Sequence, residues 1–224
     1  MDKRLSTTEA EMRLIGCFIG RSTLRKRSTL SDRDMKIRKL LFLLIAVITF
    51  YDSMAVHAAV IEGVRFDETV TVEETRLFLK GTGLSRYLVV FKGYVGAFYL
   101  PKGVESLRAL DNVPKHLVLE YFHAIKATQF GHATKKMIAK NVTPADFRRL
   151  TPKIDQLAEA YRDIEPGDRY ALTYIPGYGT SLSLNGESLI VITGGDFAKA
   201  VFSIWIGPNP IDESFRSGVL GIDK

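Results

Sequence analysis

Three stretches decide the fold: Asp168-Arg-Tyr-Ala-Leu-Thr-Tyr-Ile175, Thr180-Ser-Leu-Ser-Leu-Asn-Gly-Glu-Ser-Leu-Ile-Val-Ile192, and Gly195-Asp-Phe-Ala-Lys-Ala-Val-Phe-Ser-Ile-Trp-Ile-Gly207. The first alternates polar and apolar residues with the two-residue period of a half-buried strand. Pro176-Gly-Tyr-Gly179 turns the chain. The second stretch holds two extended runs around Asn185-Gly186, the pair that a tight hairpin turn needs. After Thr193-Gly-Gly the period becomes helical, with Phe197, Ala200, Val201, Ile204 and Trp205 on one stripe. Asp196 in the first turn suits the positive end of the helix dipole, and Gly207-Pro208 stops the helix. A two-stranded ribbon therefore leads into an apolar helix carrying the sequence's one tryptophan. Such a unit packs only if the rest of the chain covers it.

Upstream, Val60–Phe66 and Thr69–Val72 read as short opening strands separated by Asp67-Glu68. Arg76–Lys80 is a further strand, ended by a turn at Gly81-Thr-Gly83. Tyr87–Leu100 is a long aromatic strand in which Gly93 and Gly96 mark a bulge, a bend or a close backbone approach. Leu117–Ile125 reads as one more strand, buried through Leu117, Leu119 and Tyr121. A helix follows from about Thr128 to Lys140, with Phe130, Ala133, Met137 and Ile138 inward. Thr143-Pro144 and Thr151-Pro152 each combine a capping hydroxyl with a first-turn proline. They predict two helices with a break near Leu150, the second lined by Ile154, Leu157, Ala158 and Tyr161. Strands, then helices, then a hairpin and a helix define an α+β layered domain.

The formal charge of +6 on 224 residues sits mostly at the front. Residues 1–34 hold eight Lys/Arg against five Asp/Glu, and residues 35–58 add three basic residues against one acidic. The remainder is close to neutral, which removes the main argument for a nucleic-acid partner. Lys36–Lys39, the apolar run Leu40–Phe50 and the small residues at Val56-His-Ala58 have the three parts of a secretory signal. A buried core helix and a membrane anchor are the alternatives, although the run falls short of the ~20 residues of a span. The expected layout is therefore a signal peptide at 35–58, cleaved before Ala59, and an exported, periplasmic domain at 59–224. Residues 1–34 are either an over-long start ahead of Met35 or a disordered extension. Cys17, the only cysteine, falls in that part, so no disulfide is expected in the domain.

Cofactor chemistry finds no motif. His57, His116, His123 and His132 lack ligand spacing, so no metal is expected. His123 reads as a packed strand residue before a base. No serine sits in a nucleophile elbow, and Gly81-Thr-Gly-Leu-Ser-Arg86 lacks the third glycine of a dinucleotide fingerprint.

Taken in order, Gly81-Thr-Gly-Leu-Ser-Arg86, Tyr94-Val-Gly-Ala-Phe-Tyr-Leu100, Gly167-Asp168, Pro176-Gly-Tyr-Gly-Thr-Ser181, Asn185-Gly186 and Gly195–Gly207 resemble the bacterial chalcone isomerase-like family. The resemblance runs from about Val60 to Leu220. It implies an open-faced sandwich: a large antiparallel sheet with helices on one face. Plant chalcone isomerases bind a flavonoid between sheet and helices, using an arginine after a Gly-x-Gly turn, a strand threonine, and a helix tyrosine and asparagine. Carried over, the arginine is Arg86 and the asparagine Asn141. The helix tyrosine is replaced by Thr134 and the strand threonine by Tyr94, and a further C-terminal threonine near Glu187-Ser188 has no counterpart. Plant plastid proteins of the same fold hold fatty acids through an arginine and a tyrosine, a role that Arg86 and Tyr94 would suit.

On one straight strand, however, Arg86 and Tyr94 would stand roughly 26 Å apart. They can share a ligand only if Arg86 lies on a bend or the segment folds back, and the competing reading of Arg86 is an ion pair at the sheet edge. Three functions stay open. The first is non-catalytic binding of a fatty acid or other amphipathic carboxylic acid by Arg86, Tyr94, Thr134 and Asn141, with Arg86 carrying more affinity than Tyr94. The second is an intramolecular lyase acting on a chalcone-like enone through the same four residues. The third is a structural or interaction protein without a small ligand.

Overall fold

The computed structural model describes residues 58–87 and 91–222, the side chains of Tyr87 and Phe91 excepted. The expected 1–34 extension, the expected signal segment up to residue 57 and residues 88–90, expected within one long aromatic strand, lie outside the described residues. Seven strands form one antiparallel sheet in chain order: β3 (Thr69–Val72), β4 (Thr75–Tyr87), β5 (Phe91–Leu100), β6 (Lys115–Tyr121), β7 (Arg169–Ile175), β8 (Gly179–Leu184) and β9 (Glu187–Ile192). A separate hairpin precedes them, β1 (Ala58–Ile61) with β2 (Val64–Asp67). Helices α1 (Ala127–Asn141) and α2 (Pro144–Ala160) are inserted between β6 and β7. Helices α3 (Gly195–Ile206) and α4 (Glu213–Leu220) follow β9. This is the expected α+β layering, a curled antiparallel sheet with helices packed on it.

Turn chemistry explains the hairpins. Asn185 and Gly186 have φ of +51° and +86°, the left-handed pair of a two-residue turn. Glu62 and Gly63 repeat the geometry at +52° and +83°, so Val60–Phe66 is a hairpin and not the single strand expected. Two other expectations are corrected by packing. The first concerns Gly81-Thr-Gly83, which is not a turn. β4 continues through it after a bulge at Lys80, and the reversal comes after Tyr87. The glycines are needed because α4 lies directly on the strand: a Cβ at Gly81 would stand 2.2 Å from the Gly218 carbonyl oxygen, and one at Gly83 2.8 Å from that of Phe215.

The second correction is the break near Leu150. Pro152 lies inside a continuous α2. The carbonyl it leaves without an amide partner belongs to Arg148, which is exposed to water, while Leu150, Ile154 and Leu157 are fully buried. Packing of that stripe outweighs the proline. Helix α4 was not read from the sequence, although Asp212 caps it by accepting from the Phe215 amide and Gly221 ends it in the left-handed conformation.

Side chains on the helix-facing side form cross-strand rungs. Tyr94 pairs with Tyr121; Gly96, Leu119, Tyr170 and Leu184 make the next rung; Phe98, Leu117, Leu172 and Leu182 the third. Lys115, Tyr174 and Thr180 form the fourth. On the opposite face Leu77, Val95, Ala97 and Tyr99 are buried under Val64 and Phe66 of the β1–β2 hairpin. His116 lies beside Tyr99 there and shares a 2.7 Å hydrogen bond with Thr173; burial pushes its pKa down to about 4.

Lys115 is 1% exposed. Its ammonium donates to the Asp111 carbonyl at 2.6 Å and stands over the rings of Tyr174 and Phe202 at 5.2 and 5.6 Å. Burial lowers its pKa to about 8. Between that value and the unfolded value near 10.5 the unfolded chain keeps a proton that the folded chain has lost, so stability rises with pH across the window. Lys115→Met should therefore stabilise the protein at pH 7 by about 1–3 kcal/mol, the upper end being discounted for the lost ring contacts. Denaturant titrations at pH 7 and pH 10.5 check this, with the gain expected to disappear at the higher pH. Gly81→Ala should cost ~3 kcal/mol or more, as its methyl group meets backbone that cannot rotate away. Thermal unfolding of that variant against an alanine placed at exposed Thr71 tests the claim.

Candidate functional site

A cavity of about 230 Å³ separates the sheet from the helices. Its floor follows the rungs: Tyr94 and Tyr121 first, Leu119 and Tyr170 next, then Leu117, Leu172 and Leu182. Its roof is Gln129, Phe130, Ala133 and Thr134 of α1, Tyr161 just past α2, and Ile204 and Trp205 of α3. An outer hollow of about 570 Å³ holds Ser85, Arg86, His123 and Asp212. Tyr94, Ile125, Gln129 and Ile211 line both spaces and so frame the passage between them.

The inner walls carry no formal charge. Burial raises the pKa of Tyr94 and of Tyr161 to about 12 and drives that of Tyr121 well above the ordinary phenol value, so these rings stay neutral. The rings pack in a chain: Phe215 edge to face on Tyr94 at 5.1 Å, Tyr94 tilted against Tyr121 at 5.4 Å, Tyr121 edge to face with Phe130 at 5.3 Å. Two hydroxyls are satisfied internally. Tyr161 shares a 3.0 Å hydrogen bond with Thr134, and Tyr170 donates to the Arg162 carbonyl at 2.8 Å while accepting from its amide. The Tyr94 hydroxyl is different. It is buried and makes no hydrogen bond of acceptable geometry among the described residues, although Ser85 and Trp205 stand close enough to offset part of the rise that burial gives its pKa. Ser85, its cross-strand neighbour, donates its own hydroxyl to Asp212 at 2.9 Å. A polar group left in that state costs ~1–3 kcal/mol.

The four residues carried over from the family fall in three places. The chain folds back between β4 and β5, which sets Ser85 opposite Tyr94 and, across a bulge, Arg86 opposite Lys92. The separation expected of a straight strand is thereby removed, and Arg86 and Tyr94 both line the outer hollow. Arg86 is 46% exposed, and its guanidinium pairs with Glu62 at 3.6 Å, the sheet-edge ion pair that was the competing reading. Lys92 holds the same carboxylate at 2.6 Å. Thr134 lines the inner cavity. Asn141 does not join them: it donates to the Met137 and Asn209 carbonyls and accepts from the Asn209 amide, tying α1 to the α3–α4 connection.

Sequence reading missed Tyr161 and Trp205 as cavity walls, having assigned both to core stripes. It missed Asp212 altogether. The available signal was that the inward stripes of strand and helix, Tyr121, Phe130, Tyr161 and Tyr170, are aromatic, three of them with hydroxyls, where an ordinary core would be aliphatic. His123, expected on a strand, lies beyond the end of β6 and is exposed at the outer hollow. Among the described residues no His, Cys, Asp and Glu side chains cluster as metal ligands, and no helix is long and apolar enough to cross a membrane.

Residues 58–221 match the chalcone isomerase-like family, and the chain belongs to it. Among solved structures, a fatty-acid binding protein of Arabidopsis thaliana superposes with a TM-score of 0.60 over 73% of this chain and 96% of its own, at 13% identity. At that identity the likeness is one of fold. No curated protein matches the sequence.

Removing the unpartnered hydroxyl should relieve its burial cost. Tyr94→Phe is expected to leave ligand-free stability unchanged or to raise it by about 1 kcal/mol, in contrast to the usual loss on altering a buried residue. Urea unfolding of delipidated wild type and variant measures the difference; a loss above ~1 kcal/mol means that the hydroxyl has a partner in solution.

Proposed function

We propose that this protein binds a fatty acid or other amphipathic carboxylic acid without transforming it, and that it does so outside the cytoplasm after export. The observation that carries the reading is the buried Tyr94 hydroxyl, unpartnered at the neck between an uncharged cavity and a hollow bordered by Arg86. A carboxylate at the neck would accept from Tyr94, draw the exposed guanidinium away from its long contact with Glu62, and leave its chain among Tyr121, Leu119 and Phe130. The described fatty-acid binding of the Arabidopsis neighbour supports the choice of ligand class. Support for export is the series in the sequence of Lys36–Lys39, the apolar run Leu40–Phe50 and the small residues at Val56-His-Ala58.

The isomerase reading draws less support from the geometry. Thr134 is occupied by Tyr161, Asn141 by Asn209 and Arg86 by Glu62, so the four groups do not converge on one substrate position. Stabilising a phenolate or enolate calls for donors aimed at the developing charge, and the inner cavity has no cation.

Trp205, the sequence's one tryptophan, lies in the cavity wall, so its emission reports occupancy directly. Titration with decanoate should saturate. Tyr94→Phe should weaken binding roughly three- to tenfold, the scale of one neutral hydrogen bond. Arg86→Ala should cost up to about fivefold and be sensitive to salt, because the group is half-exposed. This order reverses the one expected from sequence, in which Arg86 carries more affinity than Tyr94. Glu62→Gln, which releases the guanidinium, should tighten binding. Failure of every straight-chain acid from hexanoate to hexadecanoate to saturate overturns the proposal, as does stereoselective chalcone turnover that is lost in Arg86→Ala.

A further inference from the structure

We infer that the gain in affinity with chain length ends near ten carbons, a limit set by the third rung of the sheet; this rests on the carboxylate reading above. Three observations carry it. The inner cavity is about 230 Å³. An apolar cavity of ~150 Å³ accepts benzene, or roughly 25 Å³ per carbon, so this one takes about nine carbons. With the carboxylate held at the neck by Tyr94, one further carbon stays in the outer hollow.

The second observation is depth. The floor runs along β6 from Tyr121 to Leu117, four residues, which is ~14 Å of strand. The third is that the far end is closed by large side chains in contact. Leu117, Leu172 and Leu182 stand shoulder to shoulder in register, and none of them is more than 5% exposed. Beside them on the same rung Phe98 packs on Phe202 at 6.4 Å, and on the next rung the Lys115 ammonium lies over Phe202 and Tyr174. A longer chain cannot slide past this wall. It would meet packed aromatic rings backed by a buried cation, and its surplus carbons would remain in the wet outer hollow, where burial adds little.

A length series of sodium carboxylates, hexanoate to hexadecanoate, read by Trp205 emission below their micelle concentrations, tests the cut-off. Each added methylene should raise affinity about fourfold while it is being buried. The rise should end near decanoate, and longer acids should stay within about twofold of the plateau. Leu182→Ala removes three carbons from the end wall and should move the break about three carbons longer. Ala133→Leu, at an exposed helix position in the roof, adds three carbons to the space and should move it about three shorter; it keeps the test usable if the core variant does not fold. Binding that climbs without a break to hexadecanoate, or a break that neither folded variant moves, overturns the length limit and leaves the carboxylate reading standing. Absence of saturable binding by every acid overturns both.

Discussion

The structure depends on a contact in which side chains are missing. Helix α4 lies on β4 with glycine on both sides: Gly81 and Gly83 on the strand, Gly218 and Gly221 on and after the helix, each with the other element's backbone within 3 Å of where its Cβ would be. That closeness fixes the height of the helix above the sheet. It lets Phe215 pass over Gly96, where a Cβ would be 2.7 Å from the ring, and meet Tyr94. It also lowers the α4 cap onto the end of β4, where Asp212 takes the Ser85 hydroxyl. With Ser85 turned to Asp212, neither Ser85 nor nearby Trp205 makes a well-formed hydrogen bond to the Tyr94 hydroxyl. The orphan group at the neck is thus a distant result of a glycine step between a strand and a helix.

Much of this was legible because the local signals and the tertiary outcome agree. Asn185-Gly186, the alternation of Arg169–Ile175 and the stripe on α3 each specify one geometry, and the chain adopts it. The failures share a cause. Gly81-Thr-Gly83 looks like a turn because glycine permits one, but glycine also permits a helix to sit on a strand, and only the position of α4 decides. Thr151-Pro152 looks like a helix start because its cost is local, whereas the burial of Leu150, Ile154 and Leu157 that outweighs it is not. Arg86 is expected to be the main anion partner because its Gly-x-Gly signature matches the family, but the bulge after Ser85 places it at the edge beside Glu62. Tyr94 was named from the alignment; that it lacks a partner follows from Asp212, more than a hundred residues away.

Charge and apolar volume are kept apart here. The phenols of the cavity are neutral, and Arg86, Lys92, Glu62 and Asp212 all stand at or beyond its mouth. A phenol does approach Thr134, where the family's enzymes carry one on the helix itself, but it arrives from Tyr161 and its hydroxyl is used to hold Thr134. The same fold can thus present a similar group from another element with its reactivity absorbed by a neighbour. Holding an amphipathic molecule needs a greasy interior and a polar collar, and this separation provides both.

The rungs have a geometric consequence for how such a cavity can change. Only alternate residues of a strand face the helices, so the end wall cannot retreat by one residue; it moves two at a time, about 7 Å. The sheet is a ruler with coarse graduations. Finer adjustment has to come from trading one side chain for another within the wall, and at its end this protein has three leucines of equal length, side by side on β6, β7 and β8. Swapping any one of them alters reach by a few carbons, whereas opening the next graduation would mean clearing Tyr174 and the lysine that rests on it.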